Sequence, residues 1–77
     1  MSKLRLVTYQ ELSKVAETAG FEWQRRRGSH NTFKNSQGSI VVIPDHGSQL
    51  IVRSLLRKIL RDLGLTTDEY HKILDDL

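Results

Sequence analysis

Apolar positions first recur at helical spacing. Leu12, Val15, Ala16 and Ala19 fall on one stripe. Thr8-Tyr9-Gln10-Glu11 precedes the stripe as a capping box, in which the Thr8 hydroxyl and the Glu11 carboxylate satisfy opposite orphan N–H groups. Gly20 follows as a helix stop. The period then changes to two. Over residues 21–27, Phe21 and Trp23 face one way and Glu22 and Gln24 the other, until three consecutive arginines break the alternation. Gly28 marks a turn or bulge. A second strand is predicted over 29–34, with His30, Thr32 and Lys34 on one face and Asn31 and Phe33 on the other. Asn35-Ser36-Gln37-Gly38 is a turn signal, and the β-branched run 39–43 predicts a third strand that Pro44 ends.

Residues 45–49 read as a loop, followed by a second helix over 52–63. Leu55, Leu56, Ile59, Leu60 and Leu63 form its buried stripe, while Arg53, Arg57, Lys58 and Arg61 cover the other side. Gly64 is its expected end. Thr66-Thr67-Asp68-Glu69 is a second capping box, opening a short last helix whose apolar face is Tyr70, Ile73 and Leu74, extended by Leu77. The order helix, three strands, helix, short helix predicts a two-layer α+β domain with an antiparallel three-stranded meander. Both main helices would cover one face of the sheet. The open face would carry some combination of Gln24, Arg26, His30, Thr32 and Lys34.

Composition narrows the function classes. The 77 residues, with no repeat or linker, predict one domain, 1–77. No run is long and apolar enough for a membrane span, and the start, Met1-Ser2-Lys3-Leu4-Arg5, lacks an apolar signal core. With no cysteine there are no disulfides, thiolate metal sites or cysteine nucleophiles, and the expected location is the cytoplasm. The net charge is +3. Its distribution matters more, because Arg25-Arg26-Arg27 stands beside the one Gly-Ser-His element. Clustered arginine beside a histidine suits a polyanion such as RNA, against the alternative of a solvated strand without a partner.

His30 is the candidate for chemistry. An imidazole titrates near neutrality and can take or give a proton at working pH. RNA supplies its own nucleophile, the 2′-hydroxyl, so a histidine that removes its proton, or one that protonates the leaving 5′-oxygen, needs no metal. Arg25, Arg26 and Arg27 would position the phosphate. Gly28 would let the backbone approach it, and the Ser29 N–H or hydroxyl would bind a phosphate oxygen. Lys34 lies on the same face as His30. His46, in the loop after Pro44, is a further candidate for RNA contact, or a residue that holds the turn. The structural alternative for His30 is a half-buried strand histidine bonded to a neighbour. His30 and His46 lack an evident third ligand, so no metal site is expected, and no phosphate loop followed by lysine is present, so no cofactor is.

In order and spacing, four pieces together resemble the HicA-type mRNA interferase toxins of bacterial toxin–antitoxin systems. They are Ala19-Gly20-Phe21, the Arg25-x-x-Gly28-Ser29-His30 stretch, Ile43-Pro44-Asp45-His46, and Ile59-Leu60-Arg61-Asp62-Leu63-Gly64-Leu65. The resemblance implies a double-stranded-RNA-binding-domain-like fold, α-β-β-β-α, with a short C-terminal helix added here. It also implies RNA cleavage by one catalytic histidine, His30, and a HicB-type antitoxin that covers the His30 face. Where such toxins commonly carry lysines before the second helix, this chain has Gln49-Leu50-Ile51-Val52, whose apolar run belongs either to the core or to a partner interface. A non-catalytic RNA-binding or antitoxin-interaction module is the alternative function.

Overall fold

A computed structural model describes residues 3–77; Met1 and Ser2, the first residues of the expected domain, lie outside the described residues. The first helix, α1, spans Tyr9–Thr18, and Thr8 and Glu11 close the expected capping box. Three strands follow: β1 (Glu22–Arg27), β2 (His30–Lys34) and β3 (Ile40–Pro44). They form one antiparallel sheet in the order β1-β2-β3. Helix α2 (Arg53–Leu63) then packs on the sheet, and α3 (Thr67–Asp76) packs on α1. The α+β architecture is as predicted. Gly64 ends α2 at φ +74°, a left-handed value that a side chain would resist.

The core lies between the sheet and the helices. Leu12, Val15 and Ala16 of α1 and Leu56, Ile59, Leu60 and Leu63 of α2 meet Phe33, Val41 and Ile43 from the sheet. The alternation predicted for β2 holds, with Asn31 and Phe33 buried and His30 and Lys34 exposed, and β3 alternates as well, with Val41 and Ile43 buried and Ile40 and Val42 exposed.

Three features depart from the expected pattern. Leu4 and Val7, which precede any predicted element, belong to the core. They are held by Ile51 N–H donating to the Val7 carbonyl at 2.8 Å, by the Arg53 guanidinium on the Leu4 carbonyl at 3.0 Å, and by the Tyr70 hydroxyl on the Arg5 carbonyl at 2.5 Å. The Leu50-Ile51-Val52 run divides: Ile51 joins the core, whereas Leu50 and Val52 are exposed. Leu77, expected on the apolar face of the last helix, is exposed at its end.

The largest correction concerns β1. Trp23 pairs with Phe33, but Arg25, not Gln24, pairs with Thr32, so Gln24 is the extra residue of a β-bulge. One inserted residue inverts the phase of everything after it. Arg25 and Arg27 therefore share the open face with Thr32 and His30. Arg26, expected on that face, pairs with buried Asn31 on the helix side.

Candidate active site

The Gly28-Ser29-His30 element forms the tip of the β1–β2 hairpin. Arg27 pairs with His30, leaving Gly28 and Ser29 as a two-residue loop. Gly28 takes φ +60° and no non-glycine residue among the described residues has positive φ, which matches a type II′ turn, the kind whose twist suits a hairpin. Glycine is thus required at the first loop position for backbone reasons.

Several bonds fix the tip. The Ser29 carbonyl accepts from the Asp45 N–H at 2.7 Å and from the Asn31 side-chain amide at 3.3 Å. The Arg26 guanidinium donates to the Gly28 carbonyl at 2.7 Å and to the Asp45 carboxylate at 3.3 Å. The other Asp45 oxygen accepts from the Gly47 N–H at 2.9 Å, an Asx turn that orders the loop after β3. Asp45 therefore joins the hairpin tip to the loop that carries His46. Arg26 acts here as a strap across the turn. Burial raises the Tyr9 phenol above its ordinary value, and the Asp45 carboxylate adds to this while Arg26 opposes it, so Tyr9 lies in the field of the same pair.

His30 pairs with Pro44 across β2 and β3. The Asp45-to-Ser29 bond, one residue outside this pair, makes it a non-hydrogen-bonded position, so the missing N–H of Pro44 costs the ladder nothing. Side chains approach most closely at such positions, and Pro44 is a buried wall beside the imidazole. The imidazole itself is exposed, and no hydrogen bond or ion pair among the described residues engages it. That differs from the half-buried, bonded histidine that was the structural alternative.

Among the expected site residues, the sheet gathers Arg25, Arg27, His30 and Lys34 on one face, with Gly28 and Ser29 at its tip. Arg26 is tied on the other side. His46 is exposed in the adjoining loop, where its carbonyl accepts from the Gln49 N–H at 3.3 Å. Thr32 sits in the middle of the face, and Ile40 and Val42 expose apolar surface along β3. No helix among the described residues is long and apolar enough to cross a membrane. No group of three or more His, Asp or Glu among them could hold a metal ion.

Asp45 and Asn31 escaped the sequence reading. Asp45 carried a signal, since Asp followed two residues later by Gly favours an Asx turn. Asn31 carried none beyond being a polar residue at an otherwise buried strand position. Its side-chain oxygen accepts the Trp23 indole N–H at 2.9 Å, so both ends of the buried amide are satisfied.

The arrangement can present an imidazole to a phosphodiester, with two arginines that are unpaired among the described residues on the same face to bind it. Known proteins agree in kind. The family model described as HicA toxin of bacterial toxin-antitoxin matches residues 9–65, from the start of α1 to just past α2. A protein called probable mRNA interferase HicA, from Pseudomonas fluorescens (strain Pf0-1), is 38% identical over 58 residues, covering 74% of this chain and 93% of that relative.

Proposed function

The chain belongs to the HicA toxin family of bacterial toxin–antitoxin systems, and from that membership we propose that it is an endoribonuclease acting on mRNA, with His30 as its catalytic acid or base and without a metal. The relative's description as an mRNA interferase supports the substrate. The observation that carries the role of His30 is its placement: exposed, unengaged, at the end of an open face that also presents Arg25 and Arg27.

The chemistry follows from that placement. The imidazole accepts the proton of an RNA 2′-hydroxyl as the 2′-oxygen attacks the adjacent phosphorus. As the P–O5′ bond breaks, the leaving 5′-oxygen takes a proton from the imidazolium so formed or from water. The products are a 2′,3′-cyclic phosphate and a 5′-hydroxyl. Negative charge on the phosphoryl oxygens rises in between, and Arg25 and Arg27 are placed to stabilise it. Lys34, further along β2, extends the cationic face toward the flanking phosphates. The Ser29 N–H and hydroxyl and the exposed His46 complete the RNA contacts at the tip. Arg26 serves the site by holding the Gly28-Ser29 turn.

The partner that restrains such a toxin is an antitoxin, and we assign a HicB-type protein to the face bearing His30, where exposed Ile40 and Val42 of β3 share the face with Arg25 and Arg27 of β1, across β2. Both encounters would occur in the cytoplasm. The decisive experiment incubates the purified protein with long single-stranded RNA in EDTA, beside a His30→Ala variant. The expected result is cleavage that persists in EDTA and is lost in the variant. Undiminished cleavage by a folded His30→Ala protein would refute the role of His30. Salt-sensitive binding without products from either protein would make the chain an RNA-binding module instead.

A further inference from the structure

Trp23 is the single tryptophan of the chain. It lies on the helix side of the edge strand β1, yet it is 52% exposed. A tryptophan recruited for the core would be covered. This one is held in the open, with its indole N–H donated to the buried Asn31 side chain at 2.9 Å. The other end of that amide grips the Ser29 carbonyl. One buried side chain therefore links an exposed indole to the loop that presents His30.

We propose that Trp23 is a nucleobase-stacking platform for single-stranded RNA whose backbone reaches His30. The proposal rests on the ribonuclease reading above and adds to it a contact for the substrate's bases. Three observations select this occupant. The ring is pinned by its own N–H, so its face is presented with little rotamer freedom left to lose on binding. The strand that carries it presents Arg25 and Arg27, unpaired among the described residues, on its other face, which suits a polyanion crossing its edge. The indole reaches Asn31, the residue next to His30, and the imidazole lies on the opposite face of the sheet, so one short oligonucleotide crossing the β1 edge touches both. Stacking on an aromatic ring accepts any base, so the platform supplies affinity and register and leaves sequence preference to other contacts.

The test uses the tryptophan as its own reporter. The protein is titrated with a single-stranded 2′-O-methyl oligonucleotide, which has no free 2′-hydroxyl and is not cleaved. Anisotropy of a label on the oligonucleotide gives an independent measure of occupancy. Stacking predicts quenching of tryptophan emission that tracks occupancy. Trp23→Ala should weaken binding about ten-fold, and Trp23→Phe, which keeps a ring, should recover part of the loss. Saturation without change in emission would overturn the proposal, as would full affinity in Trp23→Ala. Emission that responds to an antitoxin but not to the oligonucleotide would also overturn it and make Trp23 a protein-docking residue. The titration is repeated in His30→Ala, where quenching should be unchanged, so a failure of the catalytic reading and a failure of the platform register in different measurements.

Discussion

On the helix-covered face of the sheet, Phe33, Val41 and Ile43 are each 1% exposed or less. On the open face, Ile40 and Val42 of the same β3 are 55% and 41% exposed. Neighbouring residues of one strand thus live under different rules. The covered face holds the domain together. The open face contributes little to that, and so is free to carry exposed charge and an unengaged imidazole. Arg25 and Arg27 fall under the second rule and Arg26 under neither, since it spans from the covered side to the hairpin tip.

The sharpest way to break this comparison is to alter one residue from each face of β2. His30→Ala should reduce RNA cleavage roughly 100-fold or more, the usual scale of a lost general acid or base. Its unfolding free energy should stay within about 0.5 kcal/mol of the parent, because an exposed side chain without partners is removed. Phe33→Ala should do the reverse. Truncating a fully buried phenylalanine costs about 3–5 kcal/mol, a large share of the 5–15 kcal/mol or so that small domains possess. Denaturant midpoints and initial cleavage rates, measured on both variants, decide the matter. A His30→Ala protein that is strongly destabilised would mean the imidazole has a structural role after all.

The covered side extends beyond the sheet to α3, and there pH is the lever. Burial pushes the Tyr70 hydroxyl up to about 12, from an ordinary value near 10. The folded state thus holds this proton more tightly than the unfolded state. The resulting stability is fully present below about pH 10 and is lost as pH rises toward about 12. Ionisation would also remove the donor to the Arg5 carbonyl. Tyr70→Phe should cost about 1 kcal/mol at neutral pH, the scale of one hydrogen bond, and should flatten the alkaline decline. Denaturant midpoints collected across that range, for parent and variant, test the sign directly.

The parts of the fold that rest on neighbours in sequence were legible. Both capping boxes lie within four residues, and both close as read. The alternation read for β2 survived because that strand contains no insertion. The bulge at Gln24 was not legible, because it exists only relative to β2: an extra residue is defined by what the partner strand lacks. It reversed the expected placement of Arg26. The burial of Asn31 was hidden for a similar reason, since its two partners, Trp23 and Ser29, become neighbours only when the hairpin closes. The candidate site was legible at His30, where a compact local element forms the turn. The strap that holds the turn, from Arg26 to Asp45, spans 19 positions and left no local pattern.

The three arginines give a finer test of the same contrast. Arg25→Ala and Arg27→Ala should each lower the salt dependence of RNA binding by about one charge and weaken binding evenly across sequences, as expected of phosphate contacts. Arg26→Ala should leave that dependence closer to the parent's, because its guanidinium is occupied by the Gly28 carbonyl and Asp45. Binding of an uncleavable oligonucleotide over a series of salt concentrations separates the cases. Equal slopes for all three variants would show that the bulge does not divide the arginines in function.

The smallest effect tests whether the strap contributes through charge or through shape. Asp45 makes three contacts that do not depend equally on its negative charge. Its backbone N–H donates to Ser29, one carboxylate oxygen accepts from the Gly47 N–H, and the other meets Arg26 at 3.3 Å. Asp45→Asn keeps the backbone bond and an acceptor oxygen for Gly47, and removes the ion pair. The Arg26 side chain is 52% exposed and that of Asp45 is 25% exposed, so solvent screens the pair and the expected loss of stability is under about 1 kcal/mol. A double-mutant cycle with Arg26→Gln isolates the pairwise contribution. Coupling near zero together with slower RNA cleavage in Asp45→Asn would mean that the charge matters for the geometry of the tip rather than for folding. Coupling well above 1 kcal/mol would mean that the hairpin tip, although on the exposed end of the sheet, is held as firmly as the covered face. The division of labour between the two faces would then fail at the one residue that bridges them.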